Sequence, residues 1–408
     1  MVSQALQGIR ILDLSRILAA PFCTQLLADL GAEVIKVERP GEGDDARRYG
    51  PPFLPDRDGQ PTNDAAFYLS CNRNKRSITI DHSKPEGQAL IRQLAAGSDV
   101  LIENFRTGVL AKYGLDHESL RSVHPGLVYC SVTGFGQDGP YAARPGYDGV
   151  FQAMCGLMSV SGLPDGVPGG GPMKVGVSMV DILTGLYTAN AVQAALRHRD
   201  RTGEGQYIDM ALLDCGLASL SHYVQNYLIS GVVPERRGNG GFGGIPSQSF
   251  RCRDRDIFIV ASTGREFSAL ARVLGQPELA SDPRFADVSS RIRNRDALLA
   301  ILDALFLTRD AADWLTDLEA ADVPASPVND VASVFDNPQI RHRGMLTQVD
   351  HPVAGEMPVL RNPIRFSATP IGEASPPPTL GQDSDAILRE LLGKDDAAIH
   401  ALRAGAVI

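Results

Sequence analysis

The sequence has no continuous apolar run near the roughly 20 residues that a membrane-spanning helix needs. Its opening, from Met1 to Ser15, has neither the basic start nor the long apolar core of a secretion signal, so a cytoplasmic or organelle-matrix protein is expected. The six cysteines (Cys23, Cys71, Cys130, Cys155, Cys215 and Cys252) are widely scattered. None forms the close pairs of a zinc site, and isolated thiols in a long chain fit a reducing compartment. A phosphate-binding GxxxxGK[ST] loop, a GxSxG elbow and an HExxH pair are all absent. The eight histidines are isolated, so no metal is expected. Basic charge is also short, with 39 Lys and Arg against 48 Asp and Glu, a net charge of −9. That balance argues against nucleic acid or an anionic membrane as partner, yet leaves room for a local basic patch that holds a phosphorylated ligand.

What is present is a globular composition, 43% hydrophobic and 21% charged, over 408 residues. That length suggests two domains. The first half alternates strand and helix signals. Gly8–Leu14 reads as a strand, 19–30 as a helix closed by Gly31, and Glu33–Val37 as the next strand. The unit recurs with strands near Ser77–Asp81, Val100–Asn104 and Leu127–Val132, and with a helix from Pro85 to Ala96 whose proline suits a first turn. Such alternation predicts a parallel sheet covered by helices. Residues 133–176 are rich in Gly and Pro and without period; a long irregular stretch in an enzyme is usually functional. A helical stripe runs from Asp181 to about Arg199, followed by a strand at Gln206–Leu212 and a helix at 213–229. Beyond a glycine-rich segment, Ile257–Ala261 reads as a strand and 265–320 as mostly helical, a second and smaller domain. Two amphipathic helices, near 384–393 and 395–404, close the chain.

Asp181 stands directly before its apolar stripe, at a helix N-cap position. A capping aspartate is the plain reading; an ionised carboxylate able to attack an activated acyl group is the chemical one. The cluster Gly238–Gly244 contains a literal GxGxxG. The strand-then-helix frame of a dinucleotide loop is missing around it, so no nucleotide redox cofactor is expected. It reads either as an interdomain linker or as a loop whose N–H groups stabilise an oxyanion. Asn72–Ser77 is a basic run, either a solvated loop or a holder of phosphate. Arg39, Arg106, Lys112 and Arg144 lie near strand ends, where parallel sheets bind ligands, and Asn104-Phe105-Arg106 follows a strand directly.

In order along the chain stand Leu12-Asp13-Leu14-Ser15-Arg16, Gly31-Ala32-Glu33-Val34-Ile35-Lys36-Val37-Glu38, Asn74-Lys75-Arg76-Ser77, Ile102-Glu103-Asn104-Phe105, Gly134-Phe135-Gly136-Gln137 and Thr202-Gly203-Glu204-Gly205-Gln206. Together they resemble the class III CoA-transferases, from Leu6 to about Ile408. The resemblance implies that Asp181 is the nucleophile, helped by Gly240, Gly241 and Gly243 of the glycine loop. It implies that coenzyme A, a bound co-substrate, is held by Ile17, Leu18, Arg39, Asn104, Phe105, Arg106 and Lys112, and by Arg144, Tyr147 and Asp148. Racemases of the family carry a histidine where this chain has Tyr147. A phenol with a pKa near 10 is a poor proton relay at neutral pH, which argues against racemisation. An acyl-CoA hydrolase and a non-catalytic acyl-CoA-binding protein are further alternatives.

The segments Glu38-Arg39-Pro40, Gly43–Arg47, Asn226–Ile229 and Pro376–Gln382 are similar to members that use succinyl-CoA and a C4–C6 dicarboxylate. For such an acid Arg47 is the candidate for the distal carboxylate, with a surface ion pair as the alternative. The expected fold is α/β: a Rossmann-like large domain from residues 1–220 completed by 325–408, and a smaller α+β domain at 221–324 that includes the loop 238–244. The resemblance also implies a homodimer of interlocked rings.

Overall fold

The fold is known from a computed structural model that describes residues 4–241 and 243–408. By internal contacts the chain divides into two units. The first comprises Met1–Leu157, Val175–Ile229 and Arg343–Ile408, and the second Met158–Lys174 and Ser230–His342. These bounds differ from those expected at 220 and 324. A helix at His222–Ser230 splits between the units, residues 158–174 belong with the second, and the C-terminal return starts at Arg343.

The first unit is built on a six-stranded parallel sheet: β1 (Arg10–Asp13), β2 (Glu33–Glu38), β3 (Lys75–Thr79), β4 (Val100–Glu103), β5 (Val128–Thr133) and β6 (Tyr207–Ala211). Their order is β3-β2-β1-β4-β5-β6. That is the doubly wound arrangement, with its switch point between β1 and β4. Alternation decides the faces. Ile11, Val34, Val100 and Ile102 pack on one side against helices Ala19–Asp29 and Met179–Thr202. Leu12, Ile35, Ile78 and Leu101 pack on the other against Pro85–Ala96, Ser384–Leu392 and Asp396–Ala404. The chain's end is tied in where Asp81 donates its N–H to the Val407 carbonyl at 2.8 Å.

Two local differences from the expected elements have clear causes. The helix expected over 213–229 is broken into Leu212–Ser219 and His222–Ser230, because Ser221 takes a left-handed conformation at φ 47°. The stretch 133–176 is not wholly irregular: it contains the short helices Asp148–Met154 and Leu157–Val160.

The second unit has its own core. A three-stranded antiparallel sheet, β7 (Ser247–Arg251), β8 (Asp256–Val260) and β9 (Ala325–Pro327), has β8 at its centre. Phe250, Ile257 and Ile259 pack against Phe267, Leu298, Leu302, Phe306 and Trp314 from the helices. Helix Gly264–Val273 opens on a capping box between Thr263 and Glu266.

Candidate active site

The loops that follow β1, β4 and β5, with Leu212 at the start of the helix that follows β6, enclose a cavity of about 250 Å³ at the switch point. It brings together Ile17, Leu18, Asn104, Phe105, Arg106, Arg144, Tyr147, Asp148 and Asp181. Arg16, Arg106 and Arg144 line it beside the carboxyl groups of Asp45, Asp148 and Asp181, so its wall carries both signs, with guanidinium groups able to meet an anionic ligand. A neighbouring cavity of about 300 Å³ shares Arg16, Phe105 and Arg106 and takes in Arg39 and His82. Lys112 lines neither cavity; it stays exposed on the single turn Leu110–Tyr113.

Asp181 is not the N-cap of its helix. The cap position is Ser178, and Asp181 is the third residue of Met179–Thr202. Asp148, 33 positions earlier in the chain, does the capping instead. Its Oδ1 accepts the N–H of Val180 at 2.8 Å and of Asp181 at 3.3 Å, while Oδ2 accepts from Gln152 Nε2 at 2.6 Å. The buried Asp148 thus occupies the positive pole of the helix. Asp181 is left partly buried at the cavity edge. Burial, and after it the Asp148 charge, push its carboxyl from the ordinary 3.8 up to about 7.

Close approach of backbones supports this placement. The Asp181 helix meets helix Ala19–Asp29 at Gly185, where a Cβ would lie 2.7 Å from the Ala19 carbonyl oxygen. Gly134 and Gly146 both close on the tip of the buried Phe151 ring; a Cβ on either would come within 2.5 Å of it. Ile17 is left-handed at φ 74°, a strained state for a β-branched residue. It is held there because Asp44 Oδ1 accepts its N–H at 3.0 Å and Asn104 clamps Arg16 on both sides, Oδ1 to N at 2.9 Å and Nδ2 to O at 2.7 Å.

Beneath that turn lies a buried polar network that composition gave no hint of. Lys36 pairs with Asp44 at 2.8 Å and donates to the Ser15 carbonyl at 2.9 Å. Lys75 pairs with Asp13 at 3.1 Å. All four charged side chains are fully buried. The landmark segments around Asp13, Lys36 and Lys75 are therefore internal scaffolding. The basic run Asn72–Ser77 is neither a solvated loop nor a phosphate holder: Arg73 pairs with Asp29, Lys75 with Asp13, and Arg76 with Glu33 and Glu390.

Arg47 is corrected in the same way. Its guanidinium is buried, bonded to both Glu38 oxygens at 2.7 Å and to Asp64 at 2.5 Å, and stacked 3.6 Å over Tyr68. With its donors taken and no face on either cavity, it is a structural ion pair, not a holder of substrate carboxylate.

The glycine loop belongs to the second unit, and Phe242 within it lies outside the described residues. Gly240 donates its N–H to Arg237 at 3.0 Å and Gly241 to Ser247 at 2.8 Å, so these two are not open oxyanion donors in this conformation. Their glycine character serves packing instead: a Cβ at Gly240 would strike the Arg295 guanidinium and one at Gly241 the Ser247 side chain. Among the described residues nothing lies within 4 Å of a Cβ built on Gly243. Among the described residues no group of three or more His, Cys, Asp or Glu side chains could hold a metal, and no helix is long and apolar enough to cross a membrane.

A doubly wound sheet with a partly buried carboxyl group and guanidinium groups around one cavity at its switch point is an arrangement that ligand-binding and catalytic sites of α/β proteins use. Comparison with known proteins agrees. Residues 6–384 match CoA-transferase family III. A succinate–glutarate CoA-transferase of Agrobacterium fabrum is 45% identical over 386 residues, 95% of each chain. A human succinyl-CoA:glutarate CoA-transferase is 41% identical over 403 residues, 99% of this chain and 90% of that one. The crystal structure of a CAIB/BAIF family protein from Brucella suis superposes with a TM-score of 0.85 at 46% identity, over 95% of this chain and 100% of the other. The chain belongs to CoA-transferase family III.

Proposed function

We propose that this CoA-transferase moves coenzyme A from succinyl-CoA to a C4–C6 dicarboxylate, with glutarate the first acid to test, through covalent intermediates on Asp181. The observation that carries this reading is Asp181 itself: a carboxyl at the edge of a cavity that Arg16, Arg106 and Arg144 also line, freed from capping duty by Asp148. The names of the relatives support the donor and acceptor.

In the proposed cycle the Asp181 carboxylate attacks the thioester carbonyl and the C–S bond breaks, giving a mixed anhydride and CoA thiolate. The thiolate attacks the aspartyl carbonyl, releasing the donor acid and leaving an aspartyl thioester. The acceptor carboxylate attacks that carbonyl and expels thiolate to form a second anhydride. Thiolate then attacks the acceptor's carbonyl, making the new acyl-CoA and restoring the Asp181 carboxylate. Every step exchanges one acyl bond for another, and no electron changes hands.

The cavity residues Ile17, Leu18, Asn104, Phe105, Arg106, Arg144, Tyr147 and Asp148 are assigned to the CoA thioester, with Arg39 serving the adjoining cavity. Lys112 has only the family resemblance behind it. Gly243, with open space on its side-chain face, is the loop glycine we retain for the reaction. We also propose a homodimer. Leu228, Ile229, Val232 and Val233 are each at least 67% exposed, an apolar stretch that a second copy would cover. The six buried free thiols fit a reducing compartment, the cytoplasm.

The test is an exchange assay with mass detection, in which succinyl-CoA is offered with a panel of carboxylic acids. Glutaryl-CoA formed by the wild type and not by Asp181→Ala is the expected result. Free CoA released without any acceptor, or deuterium uptake at the α-carbon with no exchange of acids, would replace the transferase reading with a hydrolase or a racemase.

A further inference from the structure

Parallel pairing places Glu103 opposite Ser131, and Ser131 opposite Asp209. Three polar side chains thus form a row across β4, β5 and β6 at the sheet edge where the cavity opens. The two acids act on the loops that leave the strands. Glu103 Oε2 accepts the N–H of Phe105 at 2.7 Å, and Asp209 Oδ2 accepts that of Gln137 at 2.9 Å. Glu103 is only 5% exposed. Its surroundings are a third cavity of about 350 Å³, shared with Tyr129, Ser131, Tyr207 and His117.

A buried carboxyl group is expensive to keep at a strand end, where an apolar side chain would pack at lower cost. Here burial, and with it the Asp209 charge, push Glu103 up from 4.5 to about 7. What Glu103 secures in return is the direction of the chain just beyond it. Phe105 is turned so that its ring meets His82 edge-on at 5.2 Å and lies 5.5 Å from the Arg16 guanidinium, on the wall common to the two cavities. Asn104, one residue earlier, is thereby set to clamp Arg16 beside the strained Ile17.

We infer that Glu103 is a positioning residue for the CoA thioester: by holding the Phe105 N–H it aims Asn104, Phe105 and Arg106 into the wall against which the thioester binds. This rests on the reading of that wall as CoA-binding. Because Glu103 acts through the wall and does not line the cavity that holds Asp181, its loss is expected to change donor binding and leave the chemistry intact.

The experiment is steady-state kinetics on the full-length protein. Direct CoA binding is measured in parallel in the Asp181→Ala background. Glu103→Ala is expected to raise the KM for succinyl-CoA about tenfold, the scale of one lost buried hydrogen bond. Its kcat should stay within about threefold, and the KM for the acid should not move. Glu103→Gln retains an acceptor for the Phe105 N–H and is expected to restore the succinyl-CoA KM. If Glu103→Ala does not fold, Glu103→Met, which also lacks the acceptor, replaces it. An unchanged succinyl-CoA KM overturns the inference, as does a general loss across kcat and both KM values, or a Gln variant no better than Ala. The underlying reading fails separately. If Phe105→Ala and Arg106→Ala both leave CoA affinity untouched, that wall does not bind CoA, whatever Glu103 does.

Discussion

Replacing the Asp181 carboxyl should make the protein more stable, and the gain should depend on pH. Asp181 titrates near 7 in the fold against 3.8 as an ordinary aspartate, because burial and then Asp148 oppose its charge. Between those values the folded chain holds a proton that the unfolded chain has lost. Stability therefore falls as pH rises through this window and levels off above about 7. The displacement from 3.8 to about 7, at about 1.4 kcal/mol per pH unit, sets a ceiling of about 4 kcal/mol. Asp181 is partly open to water, which screens the interaction and brings the working figure nearer 2 kcal/mol. Asp181→Asn is close in shape to the protonated form and carries no charge at any of these pH values. Thermal melts of wild type and variant should coincide near pH 4 and separate progressively up to pH 8, with the variant higher by about 2–4 °C. CoA exchange should be lost in the variant throughout. Curves that stay parallel across the whole range, or a variant less stable at pH 8 than at pH 4 relative to wild type, would refute the electrostatic account of this site.

Three further expectations follow from the same geometry. Asp148→Asn keeps an oxygen for the Val180 and Asp181 N–H groups but removes the charge facing Asp181. The acid limb of the kcat/KM profile should then move to lower pH, whereas Asp148→Ala should also lose about 1 kcal/mol of helix capping in a denaturant melt. Gly185→Ala puts a Cβ 2.7 Å from the Ala19 carbonyl oxygen, so the Asp181 helix must shift; a loss of about 1–3 kcal/mol is expected, together with a fall in kcat. Arg47→Met leaves the buried Glu38 and Asp64 carboxylates without their cation. It should lower stability by about 3–5 kcal/mol without altering the order of preference among acceptor acids, and a selective loss of dicarboxylates would restore Arg47 to the substrate site.

The amino-acid sequence by itself determined the alternating elements and their packing faces. The helix Pro85–Ala96 lies where its first-turn proline put it, and the alternation of strand and helix signals already implied a parallel sheet covered by helices. It also marked the Asn104–Arg106 turn, which directly follows a strand; Asp181 was marked by the family resemblance, since the helix boundary read at Asp181 lies three residues earlier, at Ser178. What it could not express was partnership between distant charges. Asp13, Lys36, Arg47 and Lys75 look like solvated residues when read singly. They are buried because strands and loops far apart in the chain bring an opposite charge to each, and burial of a charge is tolerable only when a partner arrives with it. The same holds for the site: Asp148 becomes the cap of the Asp181 helix, and Glu103 the neighbour of Ser131 and Asp209, only through helix placement and strand register, which are set by the tertiary structure.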